Sequence, residues 1–115
     1  MNEPLTPSQR ILLWQAIEDY SGLWECPWEL RAIKPSADEE SLKAEAAQII
    51  AGLISEGLVE LYYCQEPYGE MTKIPESKAF DLLSADEVWS QPVKDAISVR
   101  FTATEEGSAL YERQL

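Results

Sequence analysis

The sequence predicts an α+β domain in which three N-terminal helices precede a small antiparallel sheet with a helical insertion, and a C-terminal helix closes the chain. Apolar residues recur at helical spacing from residue 6 to residue 56, which indicates amphipathic helices. Two later runs, 58–63 and 97–102, alternate apolar and polar residues as half-buried strands do. With 115 residues and a 45% apolar composition, the chain fits a single domain over residues 1–115, with residues 66–95 inserted between the two strands.

The first helix has a clear beginning. Thr6 is suited to the N-cap, Pro7 to the first helical position, and Gln9 to the third position of a capping box. Gly22 is expected to end the helix. The apolar residues that follow at helical spacing are Leu13, Ile17, Tyr20 and Trp24.

Two further helices are predicted before the sheet. One covers residues 26–33, with Pro27 near its start and Pro35 after its end. The other runs from about Glu39 to Glu56, and Gly57 is expected to close it. The apolar residues on the buried side of this third helix are Ala46, Ile50, Leu53 and Ile54.

The two strands are expected to bury one face each. In the first, the residues that point to the core are Val59, Leu61 and Tyr63. In the second, they are Ile97, Val99 and Phe101. If the strands pair antiparallel, Glu60 and Arg100 both point outward and can form a cross-strand ion pair.

The insertion carries its own local signals. It is predicted to contain a turn at Pro67-Tyr68-Gly69, a short strand at 71–74 and a helix at 76–83. Residues 84–87 are expected to form a capping box ahead of Val88 and Trp89. After the second main strand, Thr104 is expected to cap the last helix.

Two stretches resemble winged-helix proteins. Residues 49–60, IIAGLISEGLVE, are similar to the end of a recognition helix and the first strand of the wing. Residues 99–107, VRFTATEEG, are similar to the strand-to-helix step that follows the wing. The resemblance covers residues 6–63 and 97–113, and the long insertion departs from it. Because most members of this family are DNA-binding regulators, the resemblance implies transcriptional control.

The residue types on the third helix disfavour DNA as the partner. With Ile50 at the centre of the buried side, the outward face consists of Ser41, Glu45, Gln48, Gly52 and Ser55. Base readout and phosphate anchoring need Arg, Lys, Asn or Gln at such positions. Residues 38–60 contain six acids and a single base, Lys43, so little can neutralise phosphate charge.

The net charge also points to a basic partner. Twenty-one acidic against nine basic residues give −12, a charge that repels phosphates and anionic membranes. No apolar run approaches the ~20 residues of a transmembrane helix, and the first residues do not form a secretory signal. The sequence therefore predicts a cytoplasmic protein with no membrane partner.

Catalysis and cofactor binding are not expected. The chain has no histidine, so the usual Ser or Cys triads and histidine metal sites are excluded. The cysteines, Cys26 and Cys64, are expected to be free thiols. The five glycines are isolated, so no phosphate-binding loop is present. We expect neither a metal nor a cofactor, and no enzymatic activity.

Aromatic residues among acids are the candidate partner-binding residues, because Trp and Tyr are favoured anchors at interfaces. They are Trp28 with its neighbours Glu25 and Glu29, together with Tyr62, Tyr68 and Trp89. The sequence predicts a non-enzymatic acidic module that acts through protein–protein contacts, such as an inhibitor or immunity-type protein for a basic target. The alternative is a winged-helix DNA-binding regulator. Self-association is also expected, through a wide apolar face on the first helix around Ile11 and Leu12.

Overall fold

The computed structural model describes residues 4–18, 20–66, 69–93 and 95–114 and confirms the α+β class. The helices are α1 (Pro7–Glu18), α2 (Cys26–Ile33), α3 (Glu39–Ser55), α4 (Glu76–Leu83) and α5 (Glu105–Arg113). The strands are β1 (Ser21–Gly22), β2 (Val59–Gln65), β3 (Met71–Lys73) and β4 (Ile97–Ala103). Two short 3-10 helices, Leu23–Glu25 and Asp86–Trp89, complete the described elements.

The start of α1 is as predicted, but its end is not. The Thr6 hydroxyl accepts from the Gln9 amide at 3.1 Å, and the Gln9 side chain accepts from the Thr6 amide at 2.9 Å, which is the expected capping box. The helix ends at Glu18, so Tyr20 and Trp24 do not belong to it. Gly22 is instead part of β1, which pairs with β4. A strand of two residues shows no periodicity, and for that reason the sequence does not reveal it.

The third helix ends as the sequence predicts. At its start, Asp38 accepts from the Ser41 amide at 2.7 Å, a bond that holds the pKa of Asp38 below its ordinary value. At its end, Gly57 has a φ of +73°, its amide donates to the Ile54 carbonyl, and the Leu58 amide donates to the Leu53 carbonyl. This Schellman arrangement turns the chain directly into β2.

Gly57→Ala is therefore expected to lower the free energy of unfolding by about 1 kcal/mol, because a Cβ disfavours the left-handed conformation. No atom lies within 4 Å of the added Cβ, so backbone strain is the whole effect. Urea denaturation followed by tryptophan fluorescence measures it. Gly57→Asn is the control and should cost less, since Asn tolerates this conformation. Equal losses for the two variants would contradict the explanation.

The strands form one antiparallel sheet in the order β1-β4-β2-β3. β2 and β4 pair over seven residues, from Val59 opposite Ala103 to Gln65 opposite Ile97. The buried residues on the core face of these two strands are Val59, Leu61, Val99 and Phe101. The prediction for Ile97 is wrong, because this side chain is 65% exposed at the start of β4. Alternation shows which face a residue occupies but not how far the core extends along the strand.

The predicted Glu60–Arg100 pair is also wrong. The register places Glu60 opposite Thr102 and Arg100 opposite Tyr62. Glu60 instead pairs with Lys73 on β3 at 2.5 Å, and Arg100 pairs with Glu66 at 2.8 Å. Outward orientation was a correct expectation for both residues, but the register depends on the whole length of the two strands.

The segment between β2 and β4 contains the predicted local elements. β3 pairs with β2, and α4 covers the predicted residues 76–83. Of the predicted turn, Pro67 and Tyr68 lie outside the described residues. The predicted capping box is wrong: Ser84 ends α4, and the following 3-10 helix has no side-chain cap. Within the described residues, no helix is both long and apolar enough to cross a membrane.

Candidate partner-binding site

Most of the residues predicted for the outward face of α3 are exposed to solvent. Ser41, Gln48, Gly52 and Ser55 are exposed, whereas Glu45 is half-buried. The Glu45 carboxylate contacts the Lys34 ammonium group at 2.5 Å, so it anchors α3 to the end of α2. None of these five residues is a cation.

The lysine on α3 is not free for a phosphate either. Lys43 lies 4.0 Å from Glu39 and 3.9 Å from Glu40 in the first turn of its own helix. Of the nearby bases, Arg31 on α2 is exposed and donates to the Ala37 carbonyl at 3.3 Å. One such cation gives little affinity for a nucleic-acid backbone, whose binding depends on neutralising several phosphates.

The described aromatic anchors differ in their exposure to solvent. Trp28 is 56% exposed and Glu29 beside it is exposed. The Glu25 carboxylate, however, accepts from the Gly22 amide at 2.7 Å and so holds β1 in place. Trp89 is buried, with its indole nitrogen donating to the Leu83 carbonyl at 3.0 Å. The prediction of Trp89 as a surface anchor is therefore wrong, since this ring closes the core under the insertion.

The two tyrosines among the predicted anchors differ as well. Tyr62 is half-buried, and its ring meets the Tyr20 ring edge-on at 5.3 Å between centroids. Its hydroxyl donates to Glu60 at 3.3 Å, and burial, with the neighbouring Glu60 charge, raises the pKa of Tyr62. Tyr68 lies outside the described residues.

The predicted self-association face needs a correction. Leu12 is completely buried and Ile11 is half-buried, so Leu12 belongs to the core. The exposed ring on this side of α1 is Trp14, which is 44% exposed and stacks on Tyr111 of α5 at 5.4 Å. The sequence places Ile11 and Leu12 together because both widen the apolar stripe, but α5 and the sheet decide which of them remains accessible.

A different surface combines a concave shape with charge. A groove of about 580 Å³ lies between the end of α3, the start of β2, the end of β3 and the starts of α4 and α5. We call it the acidic groove. Its apolar floor is formed by Ile54, Val59, Leu61, Ile74 and Ala79. The charged residues that line it are Glu56, Glu60, Glu76, Glu106 and Lys73.

Local structure explains how these charges meet. Glu76 and Glu106 lie in the first turns of α4 and α5, where the helix macrodipole favours an acid. Glu56 is the C-cap of α3, where the macrodipole disfavours it, and no base lies in the last turn of that helix. The helix macrodipole therefore accounts for Glu76 and Glu106 but not for Glu56.

Among the described residues, Lys73 is the one base that lines the acidic groove. Its ammonium group contacts the Glu60 carboxylate at 2.5 Å, and this hydrogen bond raises the pKa of Lys73. The side chain remains 61% exposed. Glu60 is therefore paired with a cation of the chain itself. The other three carboxylates that line the groove, Glu56, Glu76 and Glu106, have no cation among the described contacts.

The acidic groove could not be found from the sequence. Its residues come from α3, β2, β3, α4 and α5, which are far apart along the chain. Each acid taken alone is explained as a helix-terminal or strand-surface residue. The sequence does show that acidic residues recur at the ends of helices and strands. Only the fold shows which of these ends lie next to each other.

Metal ligands do not cluster in the part of the chain that the structure describes. This part contains no group of three His, Cys, Asp or Glu residues placed to hold a metal ion. Cys26 and Cys64 are free, as predicted, and both are buried. Burial raises the pKa of both thiols, and the charges of Glu25 and Glu29 add to the effect at Cys26. Both thiols are therefore poor nucleophiles at neutral pH.

Comparisons of the chain with protein-family models, with curated proteins and with solved structures gave no match.

Proposed function

We propose that this protein is a non-enzymatic, acidic module with a winged-helix arrangement, and that it binds a basic segment of a partner protein. The observation that carries the proposal is the distribution of charge. Four bases, Lys34, Lys43, Lys73 and Arg100, lie against carboxylates of the chain itself. By contrast, the exposed residues Glu56, Glu76 and Glu106 line a groove that has both polar and apolar walls. Such a surface attracts cations and repels phosphates.

The order of the elements supports the winged-helix arrangement. α3 passes through Gly57 directly into β2, and β4 returns beside β2 before α5. β1, between α1 and α2, joins the same sheet through β4. The departure is the insertion, which adds β3 and α4 where a simple wing has a short hairpin.

The runner-up function is that of a DNA-binding regulator. The observation in its favour is the exposed Gln48 at the middle of the outward face of α3, since a glutamine amide can read adenine. A single amide without flanking cations gives contacts to bases but no phosphate anchoring. For this reason we rank it below protein binding.

A binding experiment separates the two functions. The protein is titrated against a fluorescent 20-base-pair duplex pool of random sequence at low and at physiological salt. We expect a Kd weaker than about 10⁻⁴ M at physiological salt, because few phosphates can be neutralised. In parallel, a phage-displayed random peptide library is selected on the immobilised protein, and we expect enrichment of peptides with net positive charge.

Gln48→Ala serves as the control in both arms and is expected to change neither. Micromolar duplex binding at physiological salt with a steep salt dependence would overturn the proposal in favour of the regulator. Enrichment of neutral or acidic peptides would contradict the preference for basic partners.

A further inference from the structure

We propose that the acidic groove is the docking site, and that its occupant is a partner segment with one apolar side chain next to lysine or arginine residues. The inference rests on the proposed function and deepens it, because it assigns the binding to one surface and states the chemistry of the segment. It is an alternative to the exposed Trp28 on α2, which the sequence favours.

The shape of the groove fits an inserted side chain. Its volume of about 580 Å³ lies within the range of about 300–1,000 Å³ typical of ligand sites. The floor consists of side chains already fixed by the core, since Ile54, Leu61 and Ile74 are at most 6% exposed. A floor that is rigid before binding loses little conformational entropy when an apolar group covers it.

The negative charge around the floor favours basic residues on either side of the partner's inserted apolar side chain. Glu56, Glu76 and Glu106 come from three different helices and converge on the groove. Lysine or arginine next to the inserted apolar residue would form ion pairs with these carboxylates. An acidic segment would meet like charge, and an uncharged segment would leave the carboxylates without a partner in a more desolvated site.

Lys73 shows that the groove accepts an ammonium group. Its Nζ contacts Glu60 at 2.5 Å at the side of the groove formed by the sheet. A lysine from a partner that approached Glu76 or Glu106 would make the same kind of contact with a carboxylate that has no cation among the described residues.

The test uses three sets of acetylated hexapeptides with the full-length protein. The first set has one leucine flanked by lysines, the second has glutamates in place of the lysines, and the third has serine in place of the leucine. Backbone amide shifts in NMR titrations locate binding. We expect the first set to shift Gly57, Ile74, Ala79 and Thr104, the third set to bind at least threefold more weakly, and the second set not to bind.

Two double variants distinguish binding at the groove from attraction by the net negative charge of the protein. Glu76→Gln/Glu106→Gln is expected to weaken binding of the lysine–leucine peptides by about three- to tenfold. The matched control, Glu18→Gln/Glu112→Gln, removes the same charge from exposed positions outside the groove lining and should have less than a twofold effect. Trp28→Ala should also leave the affinity unchanged. The wild-type NMR map remains decisive if a variant is poorly folded.

Three other results would overturn the groove as the docking site. Peptide binding that shifts amides around Trp28 and is lost in Trp28→Ala overturns the groove while leaving the proposed function intact. Equal losses in the two double-glutamine variants show attraction by net charge alone and also overturn the groove. If the first set causes no shifts at millimolar concentration, the groove is not a docking site. The peptide selection then decides whether the proposed function fails as well, since it fails if basic peptides are not enriched.

Discussion

Gly107→Ala is expected to lower the free energy of unfolding by about 3 kcal/mol, because the first turn of α5 has no room for a methyl group. A Cβ at this position would lie 2.1 Å from the Leu58 carbonyl oxygen and 3.0 Å from its carbon. These are backbone atoms just before β2, and the same carbonyl accepts from the Thr104 amide at 3.0 Å. To relieve the contact, the start of α5 must move away from the Leu58 carbonyl, which weakens the hydrogen bond from the Thr104 amide. Urea denaturation followed by tryptophan fluorescence measures the loss.

Gly52→Ala is the matched control, and the expected sign is opposite. Gly52 is exposed in the last third of α3, and no atom lies within 4 Å of an added Cβ. Alanine at an exposed helical position stabilises by about 0.5–1 kcal/mol relative to glycine. If the two alanine substitutions changed stability in the same direction, the close approach of α5 to Leu58 would be refuted.

Glu66→Gln is expected to have the second large effect, a loss of about 2 kcal/mol at neutral pH. Glu66 accepts from Nε and Nη2 of Arg100 at 3.0 and 2.8 Å, and from the Ser98 hydroxyl at 2.6 Å. Arg100 also donates to the Tyr20 carbonyl at 2.8 Å and lies 5.1 Å from the centre of the Trp24 ring. The carboxylate thus connects the end of β2 with β4. Through Arg100, it is also connected to the segment before β1 and to the 3-10 helix that follows β1.

The same contacts predict how stability depends on pH. The bonds from Arg100 lower the pKa of Glu66 from about 4.5 to about 2, although partial burial opposes this shift. Because the folded-state pKa is the lower one, the contribution of Glu66 is fully present above pH 4.5 and is lost as the pH falls toward 2. The shift corresponds to about 3 kcal/mol, which we reduce to about 2 kcal/mol because the Arg100 side chain is 21% exposed to solvent.

The stability difference between wild type and Glu66→Gln should therefore be constant from pH 5 to 7 and shrink below pH 4.5. Urea denaturation at a series of pH values measures it. The control is Glu45→Gln, which breaks the more exposed Lys34–Glu45 pair and should cost at most about 0.5 kcal/mol. A difference that stays constant down to pH 2.5 would rule out Glu66 as the group with the lowered pKa.

The element boundaries that the sequence predicts well depend on local bonds. The cap at Thr6, the Schellman ending at Gly57 and the cap at Thr104 are all present, and the bounds of α2 and α4 agree with the predicted ranges. Each involves atoms only a few residues apart, so the residue types are sufficient. The winged-helix resemblance stays a prediction, both for the arrangement of the elements and for the family.

The errors share a different origin. The exposure of Ile97, the burial of Trp89 and the partner of Arg100 depend on contacts between residues that are distant in the chain. β1 exists only because the edge of β4 supplies its hydrogen bonds. No local pattern contains this information.

The sequence by itself determined the α+β order, the ends of most helices, the acidic character of α3 and the absence of histidine chemistry, because residue types and short spacings decide these properties. The tertiary structure alone decided the register of β2 and β4, the accessibility of each aromatic ring and the location of the acidic groove. A groove exists only where separate elements meet. Glu56, Glu76 and Glu106 therefore become one surface through the packing of three helices around the start of β2.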